Sequence, residues 1–325
     1  MISQNHMKFK RLSKYFPPPH FLKPFHVGVS FSDTSIKAIS FEKKRTGPRF
    51  KSTIISLGKG SIVLGSIVNM EDVVKKLSIV RKNFESPFVF FTVPDELSYV
   101  FSASIPTSGG DITEAVAFII EENVPLSLNE TIFDFIPNQI IQNDSEYTAS
   151  VVVAACVKKE IERFIEAFRR AGFEPIGCVH ESQAIAKAVM PKNLFGTFCI
   201  VHARENRIGI HLIRNKIVYF STIRTVSDGD YKKEFLDEYE KFLEYCLKYD
   251  TNQSQPVKSI FVCGEFGSAQ KVVEAMNDSA DFSGSVKLSN VWTNVFEIDK
   301  YLPDIPFEKS LSFAGSIGAA LSDII

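Results

Sequence analysis

Two segments of this chain, residues 25–41 and 198–220, repeat one pattern: an alternating apolar strand, a short polar turn and a second alternating strand. In the first, Val27 and Val29 lead through Ser30, Phe31, Ser32, Asp33, Thr34 and Ser35 into Ile36, Ala38 and Ile39. In the second, Phe198 and Ile200 lead through His202, Ala203, Arg204, Glu205, Asn206 and Arg207 into Ile208, Ile210 and Leu212, and a third strand follows over 217–223. A hairpin written twice predicts two related lobes that face a common cleft, each presenting its turn to it. At 325 residues the chain is long enough for each lobe to bury its own core.

Lys plus Arg at 37 against Asp plus Glu at 38 leaves no global field to recruit nucleic acid, so that class of partner is excluded. The 29 Phe enlarge the core without pointing to a chemistry. Cys156, Cys178, Cys199, Cys246 and Cys263 are scattered, without metal-ligand spacing, and read as free thiols of a reducing compartment. No apolar run is long enough to span a bilayer, and the N-terminus has no signal-peptide core. The expectation is a cytoplasmic protein. Residues 1–24 form a basic leader, with Lys8, Lys10, Arg11, Lys14, Lys23 and the run Pro17-Pro18-Pro19. It reads either as a loose segment with a stiff proline spacer or as a patch lying on anionic lipid.

The rest divides into a first lobe (25–96 and 180–196), an inserted strand-helix-strand-strand subdomain (97–179) and a second lobe (197–325). In the first lobe, Val73, Val74, Leu77 and Val80 recur at helical spacing, and 88–93 reads as a buried strand. The insert opens with a strand over 99–105, a helix capped by Asp111 and ended by Pro125, and strands over 131–136 and 148–156. A helix over 158–171 follows, with Ile161, Phe164, Ile165 and Phe168 on one face and Gly172 as its C-terminal cap. The second lobe adds a long helix over 230–249, a strand over 259–263 and a final helix rich in small residues over 311–321. Strands alternating with helices in both lobes predict an α/β protein with mixed sheets.

Opposed turns of this kind can hold a nucleotide's phosphates on backbone N–H groups, with a glycine for close approach and an Asp to position Mg²⁺. Here Ser30 and Ser32 stand at the acid and glycine places of the first turn, and His202 and Arg204 at those of the second. The candidate nucleotide contacts are Ser32, Asp33, Thr34, Ser35 and Lys37 in the first hairpin, Gly264, Gly267 and Ser268 after the 259–263 strand, and Gly315 in the final helix. A plain polar hairpin with a surface lysine accounts for the first group as well. No nucleophile-base pair emerges from spacing: His180 beside Glu181 reads as a capping or core histidine, and Asp299 and Asp304 as solvated loop residues. No catalytic or metal-ligating residue is assigned.

One run is more specific. Ile105-Pro106, then Thr113-Glu114-Ala115-Val116, then Ile120-Glu121-Glu122-Asn123-Val124-Pro125-Leu126-Ser127, then Phe133-Asp134-Phe135 resembles the PilM family of actin-like type IV pilus assembly proteins, relatives of the cell-division protein FtsA. Val152-Val153-Ala154-Ala155 and Ala171-Gly172-Phe173-Glu174-Pro175 are similar to the family's next strand and Gly-capped turn, and Phe16-Pro17-Pro18-Pro19 to the leader of some members. The resemblance implies an actin-like fold of two ribonuclease H-like lobes and a cytoplasmic scaffold peripheral to the inner membrane. It further implies that the N-terminal segment of a PilN-like membrane protein binds in a groove between the first lobe and the insert; Phe101, Phe118, Phe133 and Phe135 of the insert are candidates for its pockets, with the insert's own core as the alternative place for most of them. A pilus ATPase, platform proteins and a second copy of the chain are further partners in view. Family members can hold ATP, with Mg²⁺ alongside it; the Ser30, Ser32, His202 and Arg204 departures argue against both here. The alternatives are an ATP-binding enzyme of the actin and sugar-kinase superfold and an FtsA-like membrane tether, although the C-terminal Leu321-Ser322-Asp323-Ile324-Ile325 is neither long nor basic enough for an amphipathic anchor.

Overall fold

A computed structural model of the chain describes residues 25–44, 47–106, 112–143, 146–226, 230–249, 257–279, 282, 284–296, 301 and 303–322. The basic leader, the Asp111 cap and Asp299 lie outside them.

The first hairpin is built as its alternation requires, with β1 (Val27–Phe31) antiparallel to β2 (Ser35–Lys44) and β2 to β3 (Gly47–Ser56). A two-residue ribbon, β4 (Ile62–Val63) with β5 (Ser66–Ile67), precedes α1 (Met70–Lys82), which starts on an Asn69 cap. β6 (Phe88–Val93) then pairs parallel with β1. Its run of apolar residues, broken only by the buried Thr92, reflects burial on both faces. The insert follows as β7 (Ser98–Pro106), α2 (Ile112–Asn123), β8 (Thr131–Asn143) and β9 (Glu146–Val157), a three-stranded sheet in the order β7-β9-β8.

At this point the sequence-based boundary needs correction. The insert closes at Val157, not at 179. α3 (Lys158–Arg170) buries Ile161, Phe164, Ala167 and Phe168 against the first lobe's core, and β10 (Glu174–His180) pairs parallel with β6 as the fifth strand of the first sheet. Gly172, at φ +85°, ends α3 in a Schellman arrangement: Phe173 N–H donates to the Phe168 carbonyl and Gly172 N–H to that of Arg169. That tight reversal aims the chain back along the sheet.

α4 (Glu181–Val189) leads to the second lobe. There β11 (Thr197–Arg204), β12 (Arg207–Arg214) and β13 (Ile217–Thr225) form an antiparallel meander, α5 (Tyr231–Tyr249) crosses over, and β14 (Ser259–Gly264), α6 (Phe266–Asp278) and β15 (Ser285–Leu288) complete the sheet. The strand orders are β3-β2-β1-β6-β10 and β13-β12-β11-β14-β15. They are the same order twice, a meander followed by two parallel strands, which is the duplicated two-lobed actin-like architecture.

The C-terminal stretch returns to the first lobe. After α7 (Phe307–Ser310), α8 (Ala314–Ala320) lies between β1 and α4. A Cβ on Gly28 of β1 would stand 2.2 Å from the Ser316 carbonyl oxygen, and one on Gly318 1.8 Å from that of Ala184. Small residues here permit helix, strand and helix to touch backbone to backbone. Nearby, Phe41 and Phe50 pack on Trp292 and Phe296, the Phe50 and Trp292 rings 5.1 Å apart. Helices and rings thus join the lobes, and the two hairpin turns meet each other through Asp33 and Arg207.

Candidate functional site

The predicted nucleotide contacts do not converge on an open pocket. Ser32 turns inward: its hydroxyl accepts from the Ser35 backbone N–H at 3.1 Å and lies 3.0 Å from Ser35 Oγ, so both hydroxyls serve the turn itself. Thr34 is exposed. The Asp33 carboxylate accepts from the backbone N–H groups of Leu64 and Gly65, both at 3.3 Å, and from both terminal nitrogens of Arg207. Ser32, Lys37 and Gly264 share a cavity of about 10 Å³ with Ser30, Glu181, His202, Arg204, Glu265 and Ser312. That is room for one water. Gly264, at φ +111°, is required by contact, since a Cβ there would stand 2.1 Å from the Ala203 carbonyl oxygen. Gly267 faces open space, Ser268 sits in the first turn of α6, and Gly315 packs α8 on Ser30.

The space is filled by the second lobe's own turn. Arg204 Nη2 lies 2.6 Å from Glu96 Oε1, and its Nη1 3.8 Å from Glu181 Oε2. Arg207 donates to the same Glu96 oxygen at 2.5 Å and to Asp33. Both guanidinium groups are almost fully buried, as is Glu96. Burial opposes the charge on Glu96, yet the two arginines outweigh it and hold its carboxyl below the usual range. Glu181 has the opposite balance: burial, with Asp95 and Glu96 adding to it, pushes it up to about 8 against the pull of Arg204. Burial likewise lowers Lys37, with Glu265 and Glu181 opposing.

A second polar layer lies behind the first. Asp95 accepts from the Ser182 backbone N–H and hydroxyl, both at 2.9 Å, and its other oxygen is 3.7 Å from His211 Nε2 on β12. Burial raises Asp95 to about 7 and depresses His180 to about 4 and His211 to about 3. Asp95 and Glu96 open the single 3₁₀ turn between β6 and the insert. Sequence reading overlooked all three acids, Asp95, Glu96 and Glu181. Acids beside a proline or at a helix start give no local sign that Arg204 and Arg207, 108 and 111 residues on, will meet Glu96, or that Arg204 will approach Glu181.

The larger concavity, about 280 Å³, lies where the insert meets both lobes. The β8–β9 register explains its lining. Ile132 pairs with Cys156, Asp134 with Ala154 and Ile136 with Val152, and these side chains share the sheet face opposite α2. Val93, Cys178 and Val179 supply the first-lobe wall, Ile217 and Val218 the second-lobe wall. β8 pairs only with β9 among the described residues, and Ile132 and Ile136 are 42% and 46% exposed. Of the phenylalanines expected to form pockets, Phe133 and Phe135 border this concavity and also pack on the insert's own core, Phe101 packs on that core, and Phe118 stands 62% exposed on α2. Apolar residues at both strand parities, Ile132 with Phe133 and Phe135 with Ile136, were the available sign that both faces of β8 meet apolar neighbours.

Among the described residues no helix is long and apolar enough to cross a membrane, and no cluster of His, Cys, Asp and Glu has metal-binding spacing.

Comparison with known proteins places the fold. Across solved structures, a chain described as the PilM–PilN type IV pilus biogenesis complex superposes with a TM-score of 0.72 at 15% identity, over 91% of this chain and 97% of that one. The cytoplasmic domain of EpsL, an inner-membrane component of the Vibrio cholerae type II secretion system, matches with a TM-score of 0.45 at 8% identity, over 74% and 82% of the two chains. The ethanolamine utilization protein EutJ from Carboxydothermus hydrogenoformans matches at 0.47 and 11% identity, over 94% and 91%. No curated protein matches the sequence significantly. The family model described as Type IV pilus assembly protein PilM matches residues 28–258, which takes in the first lobe, the insert and the opening of the second lobe, and the chain belongs to that family.

Proposed function

We propose that this chain is a non-enzymatic docking body of the type IV pilus assembly platform, held at the cytoplasmic face of the inner membrane by its partner. The partner is the short cytoplasmic N-terminal segment of a PilN-like membrane protein, seated in the groove between insert and lobes. The observation that carries this reading is the contrast between the two concavities. The groove offers about 280 Å³, an apolar lining and an unpaired strand edge, whereas the cleft retains about 10 Å³. An incoming extended segment would add to the β8 edge through main-chain hydrogen bonds and place alternate side chains against Ile132, Ile136 and Val152.

The cleft is read as degenerate. Phosphoryl transfer needs carboxylates free to position Mg²⁺ and backbone free to approach phosphate. Here Asp33 and Glu96 accept from Arg207, and Arg204 fills the close-approach position.

The test is a fluorescence-anisotropy titration of a synthetic peptide covering the cytoplasmic N-terminus of the PilN-like protein. Wild type is expected to bind it, and Ile136→Glu, a change at an exposed position, to raise Kd at least tenfold by placing a charge on the docking face. An unchanged Kd would remove the groove from the account. Calorimetry with ATP and Mg²⁺ is expected to show no binding heat, and micromolar Mg²⁺-dependent affinity would overturn the degenerate cleft.

A further inference from the structure

The arginine-carboxylate cluster lies at a junction of the three bodies of the molecule. Glu96 lies in the 3₁₀ turn (Asp95–Leu97) through which β6 of the first lobe becomes β7 of the insert. Arg204 and Arg207, at the ends of β11 and β12, grip it from the second lobe. Its neighbour Asp95 is tied to Ser182 at the head of α4 and faces His211 of β12. The same elements wall the groove. Val93 ends β6, His180 and Gln183 flank Ser182, and Gln183 accepts from the Val218 backbone N–H at 3.0 Å. The insert also leans on the second lobe, with Ser150 Oγ 3.2 Å from the Tyr219 hydroxyl.

We infer that Asp33, Glu96, Arg204 and Arg207 form an internal clasp that fixes the spacing of the lobes, and through it the width of the groove. The inference rests on the docking reading above and adds a control to it. Buried ion pairs contribute little net stability, because desolvation cancels most of their attraction, but they specify one arrangement of the groups they join. Lobes that are otherwise joined through packed helices and rings can pivot on those contacts once the clasp is released. Opening carries Ile217 and Val218 away from the insert and draws on the turn that holds β7. A docked segment then loses one wall of its site. By reciprocity, a segment gripping all three walls stabilises the clasped state.

The experiment uses the full chain and two variants, the doubly substituted Arg204→Ala/Arg207→Ala and the milder Glu96→Gln, each checked for native circular dichroism. The first readout needs no partner. Cys156 is half-buried on the groove face, Cys178 is an exposed thiol of the same groove, and Cys246 is a half-buried thiol on α5. Maleimide labelling followed by mass spectrometry is expected to show Cys156 reacting at least fivefold faster in the clasp variants, with Cys246 unchanged. The second readout is the Kd of the PilN-like peptide, expected to rise at least tenfold. Folded Glu96→Gln with wild-type Cys156 labelling overturns the clasp, as does faster labelling with unaltered peptide affinity. If wild type itself fails to bind the peptide, the docking reading falls and the labelling rates alone decide whether the clasp sets the groove.

Discussion

Replacing Gly318 by Ala adds one methyl group in a place that cannot yield. At about 100° per residue, Ser316 and Ala320 lie on one side of α8 and Gly318 on nearly the opposite side. The first pair is seated on Gly28 of β1, and Gly318 touches the backbone of Ala184 in α4. A Cβ at 318 would be 1.8 Å from the Ala184 carbonyl oxygen and 2.3 Å from its carbon. A tolerable C···O separation is about 3.3 Å, so α8 has to shift by roughly 1.5 Å. That shift drives its other side into β1, where the clearance is already that of a missing side chain. Overpacking costs typically about 1–3 kcal/mol, and backbone on both sides places this case at or beyond the upper end. Better helix propensity returns about 1 kcal/mol. The net expectation is a loss of about 2–3 kcal/mol, a large share of a typical 5–15 kcal/mol stability. Urea unfolding followed through Trp292, the single tryptophan, reports it, since that ring packs on Phe50 across the lobes. Gly315→Ala is the control: its Cβ would meet the Ser30 Cβ at 3.2 Å, a contact a small adjustment relieves, so stability should stay within about 1 kcal/mol of wild type. A Gly318→Ala protein as stable as wild type within about 0.5 kcal/mol would refute the sandwiched-helix argument.

Phe164→Ala should cost about 3–5 kcal/mol by the same assay, because Phe164 is fully buried with its ring centroid 4.8 Å from that of Phe31 and 6.1 Å from that of Phe91. The buried titratable groups oppose each other in acid. His180 and His211 stay neutral in the fold down to about 4 and about 3, whereas unfolded imidazoles take up a proton below about 6.5, so these two lose stability as pH falls. Asp95, raised to about 7, keeps in the fold a proton that the unfolded chain gives up above about 4, so its contribution falls as pH rises through that window. Asp95→Asn removes the opposing slope, and its unfolding free energy should fall more steeply than wild type between pH 6.5 and about 4.5 in denaturant titrations at stepped pH. Parallel slopes would show that Asp95 is ionised in the fold.

Much of the fold was written locally. The hairpins, the apolar stripes of α1 and α3, and the Gly172 cap are short-range patterns that survive packing because each buries one face or fixes one φ. The boundary at 179 failed for a long-range reason. β10 is only partly buried and carries Pro175 and Gly177, so by pattern it resembles a connecting segment, and only its pairing with β6 makes it a sheet strand. The β4–β5 ribbon, two residues to a strand, is too short for any periodicity to register. The site divides the same way. Ser32, Lys37 and Gly264 do face one cavity, as the duplicated turns required, but its occupants were set by Glu96 and Glu181, whose partners lie on the other lobe.

An arginine in the chain and a nucleotide in solution are different ways to bridge two turns. A diffusing ligand must recover the translational and rotational freedom it gives up on binding, and its occupancy follows its concentration. A guanidinium tethered to β11 or β12 has already surrendered that freedom when the sheet forms, and its occupancy does not titrate with any metabolite. It also delivers its donors as a planar fork, which suits Glu96 and Asp33 and which a lysine at the same positions would not reproduce. On the clasp reading, the spacing of the lobes is therefore insensitive to the nucleotide pool, and the quantity left to regulate it is the protein segment in the groove. The same proposal gives the two concavities different roles in one molecule: the cleft stores the reference geometry, and the groove is where a partner reads it.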